Sequence, residues 1–331
     1  MRRNSRSKYL FIRVQEACNA DCFFCEFAKS QDSYRMSVSA MHDVARQAAD
    51  LDIGVIRFTG GEPLMHAQIV QLVAECASFG HDVSIITNGT QLKRYGADLV
   101  QAGLSQVILS LDSPDPETHN VYRRTPHLFE RAVSGIEGLA GLVQVRVNTV
   151  VGPHNYGDMP RMQRLLEGLG VDQWELSPIK LARASTYADR ADVIERCGPI
   201  YDRGRQGALI PMGEPFYGST VEAQDLYFNE GIVPRADQPV CRVTDDVRFL
   251  DPKNRKQYAC SLLPHRDPRD VGWGDASGPT DEAILLDTPT FRAHQDFYRA
   301  NGPSICEGCS TTAAGYSNDM NTNGTVAAWS Y

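Results

Sequence analysis

The chain has 331 residues, a formal net charge of −8 and a predicted pI near 5.5. That length suffices for a full core and two units, since domains run about 100–200 residues. The acidic balance argues against an extended nucleic-acid footprint, which needs a basic face; a local basic pocket for an anionic small molecule stays compatible with it.

The N-terminus through Lys8 is basic, but the apolar run after it stops at Arg13. This is too short for a signal-peptide core, and no transmembrane-length stretch follows, so no membrane partner is expected. Nine cysteines without a secretion signal read as thiols in a reducing, cytoplasmic setting rather than as disulfides. Strand-like runs occur at residues 9–14, 54–59, 83–87, 105–111, 143–150 and 173–177, separated by helical stretches with apolar spacings of three and four, such as Ile69, Leu72, Val73 and Cys76. Six strand–helix repeats predict parallel strands with right-handed crossovers. The expected fold is α/β, a partial (β/α)6 TIM-like barrel over residues 1–185, with its active site at the C-terminal strand ends. Residues 186–240 read as a connecting region rich in Gly and Pro with one helix near 189–201. Residues 241–331 read as a small C-terminal domain, whose tail from 310 is either disordered or folded back over the barrel mouth.

Directly after the first strand come Cys18, Cys22 and Cys25, spaced Cys-x3-Cys-x2-Cys. Three thiolates on one loop can hold three irons of a cubane [4Fe–4S] cluster and leave the fourth iron open, which is where a metal site does chemistry. Zinc is the alternative, although structural zinc usually adds a second ligand pair. After the second strand comes Thr59-Gly60-Gly61-Glu62-Pro63, a turn whose backbone can approach a ligand closely or simply lead into a helix. Polar groups then fall at each later strand end. They are Thr87 and Asn88, Ser110 and Asp112, Arg146 and Asn148, and Ser177, with Arg123 in the segment after the fourth strand.

In this order and register, over residues 9–180, these segments resemble the radical S-adenosylmethionine (SAM) enzymes, closest to the branch containing the GTP cyclase of molybdenum-cofactor synthesis. The resemblance implies that SAM's amine and carboxylate chelate the open iron. An electron from the cluster then cleaves SAM to methionine and a 5′-deoxyadenosyl radical, so a flavodoxin-like or other low-potential donor is implied. It further implies Phe24 near the adenine, Gly60, Gly61, Glu62 and Pro63 at the methionine amine, and Ser110 and Asp112 near ribose and carboxylate. Thr87, Asn88, Arg123, Arg146, Asn148 and Ser177 would complete the SAM site.

Cys241, Cys260, Cys306 and Cys309 form a second group. Four thiolates can fully ligate a second [4Fe–4S] cluster, with a four-cysteine zinc site as the alternative. The layout resembles the twitch auxiliary domain of the radical SAM dehydrogenase of butirosin biosynthesis and departs from the cyclase, which uses three cysteines there. A closed cluster would exchange an electron with a substrate radical. Cys76 reads as core, and Cys197 as either a buried cysteine or a hydrogen-atom donor.

Arg13, Glu16, Arg57, Lys180 and Arg183 fall near strand ends, where an arginine suits a carboxylate or phosphate, or else an ordinary ion pair. Residues 58–65, 150–156, 260–266 and 309–316 resemble the cytosylglucuronate decarboxylases of nucleoside-antibiotic pathways, which adds His265 and Arg266 as substrate contacts. The expected reaction is therefore radical decarboxylation of a glucuronic-acid nucleoside through 4′-hydrogen abstraction, with the second cluster as electron relay. Oxidation of a sugar or aminocyclitol alcohol to a ketone is the second expectation, and a non-catalytic Fe–S or zinc protein the third.

Overall fold

The computed structural model describes residues 8–25, 27–152, 154–178, 243–261 and 284–305, with 199–200, 203, 206–207, 209 and 211–212. Strands β1 (Lys8–Gln15), β2 (Ile53–Gly60), β3 (Asp82–Thr87), β4 (Leu104–Ser110), β5 (Gln144–Val151) and β6 (Gln173–Pro178) are parallel neighbours in chain order. Each lies within one residue of its expected ends. Helices α1 (Val38–Asp50), α2 (Ile69–Ser78), α3 (Leu92–Gln101), α4 (Pro116–Tyr122), α5 (Leu128–Leu139) and α6 (Met159–Gly168) make the crossovers. The fold is α/β with a parallel sheet, in the partial-barrel arrangement expected.

Local chemistry explains these elements. The α1 stripe Met41, Val44, Ala45 and Ala48 is fully buried, and the Ser37 hydroxyl caps the helix by accepting from the Ala40 amide. Along β1, Leu10, Ile12 and Val14 join the apolar core, so the two-residue period turns Phe11, Arg13 and Gln15 to the opposite face. That face is polar over several strands. Arg57 donates to Ser84 Oγ at 2.9 Å and to Gln106 Oε1 at 3.2 Å, and Gln106 donates to Gln144 at 2.8 Å and Gln173 at 3.1 Å. Arg57 thus sits within β2 on a polar rung between the Tyr9 and Phe11 rings, rather than at the strand end expected for it.

The sheet extends further than the six repeats. β7 (Pro211–Met212) pairs with β6, β8 (Val247–Asp251) lies parallel to the free side of β1, and β9 (Lys256–Tyr258) returns antiparallel to β8. The order is β7-β6-β5-β4-β3-β2-β1-β8-β9. Helices α7 (Val243–Asp246) and α8 (Pro289–Ile305) flank this addition, and His294 on α8 accepts from the Ala259 amide at 3.2 Å. Residues 284–286 are tied to α1 through both ends of the Gln47 amide. Among the described residues no helix is long and apolar enough to cross a membrane.

Candidate active site

The cysteine loop leaves β1 at Gln15 and returns to it. Cys18 N–H donates to Ser30 O, Lys29 N–H to Ala20 O and Met36 N–H to Val14 O, and Gln15 bridges Arg35. Cys18 and Cys22 are buried with Ala20 against Phe24 and Phe27, whereas Cys25 is exposed. Burial pushes the Cys18 thiol up to about 11 and raises Cys22 against the opposing pull of Arg123. Buried thiols become thiolates when a cation takes the proton's place, so this pair suits metal-bound sulfur. Among the described residues no three His, Cys, Asp or Glu side chains close on one ion position. A cubane instead takes one thiolate per iron, so the donor set fits that group.

The Gly60-Gly61 turn lies backbone on backbone against the start of this loop. Gly61 N–H donates to Gln15 O at 3.0 Å and Glu62 N–H to Ala17 O at 2.9 Å. A Cβ on Gly60 would stand 1.9 Å from Gln15 O, and one on Gly61 2.2 Å from Ala17 O, so only glycine permits this approach. Glu62 then turns into the protein. Its carboxylate accepts from Thr87 Oγ1 at 2.6 Å, Asn88 N at 2.7 Å and Leu64 N at 3.0 Å. Burial raises the Glu62 carboxyl and these donors pull it back part of the way. The Asn88 amide also donates to Asn19 Oδ1 at 2.8 Å. Glu62, Thr87 and Asn88 therefore hold the turn and the cysteine loop together, while Pro63 opens a single 3-10 turn, Pro63–Met65.

Arg123 ends α4, whose start is capped by Asp115 accepting from the Thr118 amide at 2.8 Å. Its Nε and Nη2 donate to the Asp112 carboxylate at 2.7 and 3.1 Å, its Nη1 lies 3.9 Å from Cys22 Sγ, and its guanidinium lies 5.5 Å from the Phe24 ring centre. Burial alone would raise the Asp112 carboxyl, but Arg123 outweighs it and holds the group below the usual carboxylate range. Behind them His119 Nδ1 accepts from the Asp112 amide at 3.1 Å, and burial pushes its pKa down to about 4.

Ser110, Asn148 and Ser177 are half-buried near the ends of β4, β5 and β6. Arg146 donates to Asn148 at 3.1 Å and forms a short ion pair with Glu175. Glu175 was missed by sequence reasoning, although Gln173, Glu175 and Ser177 alternate with buried Trp174 and Leu176 and so mark one polar face of β6.

Two expected substrate contacts are engaged in ion pairs. Arg13 Nη1 lies 3.0 Å from Asp251, with its guanidinium between the Phe27 and Phe249 rings, and Glu16 lies 2.5 Å from Lys253 Nζ. The pairing of β8 with β1 supplies both partners, which are separated in sequence from Arg13 and Glu16 by 238 and 237 residues. Cys260 is half-buried two residues beyond β9, and Cys76 is fully buried in α2. Lys180, Arg183, Cys197, Cys241, His265, Arg266, Cys306 and Cys309 lie outside the described residues.

The family model described as the radical SAM superfamily matches residues 12–166. Among curated proteins, the chain is similar to a probable GTP 3′,8-cyclase of Methanothermobacter marburgensis, 39% identical over 148 residues, covering 43% of this chain and 48% of that protein. A probable GTP 3′,8-cyclase of Saccharolobus islandicus is 33% identical over 181 residues, covering 53% and 58%. The chain thus spans about half the length of the curated relatives it matches. Its fold is similar to Streptococcus suis SuiB bound to S-adenosylmethionine, with a TM-score of 0.65, 17% identity, and coverage of 96% of this chain and 75% of that one. Native anSMEcpe with bound AdoMet gives 0.61 and 14%, covering 86% and 82%. The cyclase relatives overturn the expectation of a nucleoside decarboxylase or an alcohol dehydrogenase. That narrower resemblance rested on residues 58–65, 150–156, 260–266 and 309–316, whereas the similarity found goes to proteins named for another reaction. Residues 12–166 match the radical SAM superfamily model and are built as an α/β partial barrel.

Proposed function

We propose that this chain is a radical SAM enzyme acting on a nucleotide of the GTP class. The observation that carries the SAM chemistry is the three-cysteine loop laid on the Gly60-Gly61 backbone at the C-terminal end of β1, with Arg123 beside Cys22. In this reading Cys18, Cys22 and Cys25 hold three irons of a [4Fe–4S] cluster. The Arg123 guanidinium offsets the negative charge of the thiolate set, and Asp112 fixes its orientation through two parallel hydrogen bonds. Ser110, Asn148 and Ser177 offer polar groups along the strand ends. When bound, the reduced cluster and SAM supply a 5′-deoxyadenosyl radical that takes a hydrogen atom from the substrate. A low-potential donor provides the electron. Cys241, Cys260, Cys306 and Cys309 are proposed to hold a second cluster.

GTP is the substrate to test first because the curated relatives are named for it; their match covers 43–53% of this chain. Anaerobically reconstituted protein is incubated with SAM, dithionite and GTP and followed by mass spectrometry. Formation of 5′-deoxyadenosine in step with loss of GTP is the expected result. 5′-Deoxyadenosine with GTP unchanged overturns the substrate. Equal iron content in the wild-type chain and a Cys22→Ala variant overturns the cluster assignment.

A further inference from the structure

The turn between β8 and β9 lies over the base of the cysteine loop. One leg of that base is Glu16, directly after β1, and the other is Asp32, three residues before Arg35 of the Gln15–Arg35 bridge. Lys253, inside the turn, places its Nζ 2.5 Å from Glu16 Oε2 and 2.5 Å from Asp32 Oδ2. One ammonium therefore holds both legs. Beside it Arg13 pairs with Asp251 at 3.0 Å and reaches Glu16 at 3.9 Å, and Asn254 donates to Asp251 at 2.9 Å.

An isolated surface ion pair contributes little. This arrangement differs in two respects. The Glu16 side chain is only 9% exposed, so its charge is poorly served by water. In addition, three carboxylates (Glu16, Asp32 and Asp251) share the cations Arg13 and Lys253, with Arg35 acting on Asp32 through space. Without Lys253 the two loop legs lose the cation that bridges their like charges. The hydrogen bond from Lys253 holds the Asp32 carboxyl below the usual range, and Asp32 and Glu16 together push the ammonium up to about 12.

We propose that Lys253 is a positioning residue for the cysteine loop, an ammonium staple joining Glu16 to Asp32 that sets the spacing of Cys18, Cys22 and Cys25 from a turn more than 200 residues away. What the staple serves rests on reading this loop as the cluster site. The staple itself is a property of the chain.

The test uses full-length protein with Lys253→Met and Lys253→Arg, reconstituted anaerobically. Amide hydrogen exchange is read on peptides spanning residues 17–31, alongside the electron paramagnetic resonance of the reduced cluster. Lys253→Met speeds exchange across the loop about tenfold and changes the resonance, while peptides from α1 and β3 exchange as in wild type. Lys253→Arg restores both signals. Loop exchange within twofold of wild type, or equal acceleration throughout the chain, overturns the staple. If the loop loosens in Lys253→Met but the wild type holds no iron, the staple stands and the cluster reading falls. If the wild type holds its cluster and the loop does not loosen, the staple alone falls.

Discussion

Arg123 clasps Asp112 through two hydrogen bonds and keeps its remaining nitrogen 3.9 Å from Cys22 Sγ. The clasp joins the end of α4 to the end of β4 and leaves a fixed positive charge facing a thiol. Because both partners are nearly inaccessible to water, each is costly without the other. Arg123→Ala strands the Asp112 carboxylate and is expected to lower unfolding free energy by about 3–5 kcal/mol, read as a drop in the urea midpoint. Arg123→Lys does not restore it, since an ammonium lacks the planar fork. Wild-type stability in the lysine variant would remove the argument from geometry.

The glycine contacts predict a contrast within one chain. Gly61→Ala drives a Cβ into a backbone carbonyl and is expected to cost about 3 kcal/mol or more. Gly138→Ala, at an exposed position of α5 with nothing within 4 Å of its would-be Cβ, stabilises by up to about 1 kcal/mol. Chemical denaturation of the two variants side by side checks the pair.

Stability should fall on mild acidification. His119 is neutral in the fold with a pKa of about 4, against an ordinary value of 6.5. The unfolded chain therefore binds more protons between these values. The contribution of His119 is complete above pH 6.5 and is lost as pH falls toward 4, by about 3 kcal/mol in all. His119→Gln flattens this part of the curve. A wild-type slope in that variant would assign the loss to other groups.

Metal content separates the two cysteine groups. With both clusters loaded the chain carries about 8 irons, and Cys18→Ala or Cys306→Ala each lowers this to about 4. Cys76→Ala, whose thiol is buried in α2 and pushed up by desolvation, leaves the count unchanged. Colorimetric iron and sulfide assays on purified variants decide it, and a drop with Cys76→Ala would place that residue among the ligands.

The strands were legible because each is a short apolar run flanked by turn residues, and the loops were legible because three cysteines and two glycines have few other uses. The hidden part was long-range. Arg13 and Glu16 look like free charges at a strand end until β8 brings Asp251 and Lys253 beside them, and no periodicity in the first strand announces a partner 238 residues later. Arg146 likewise reads as an open cation until the pairing of β5 with β6, which sets it opposite Gln173, brings the diagonal Glu175 into ion-pair reach. The five residues of β8 and three of β9 carry too little pattern to stand out among loop sequence.

The place of β8 in the sheet also bears on how the chain is made. β1 is translated well before its second neighbour, which begins only at residue 247. Until β8 is made, the backbone edge along Tyr9–Ile12 therefore lacks the strand that pairs with it, in a stretch that is apolar on both faces. A chain stopped short of Val247 would keep that edge permanently bare, and its fate would be decided by how fast it meets the same edge on another copy.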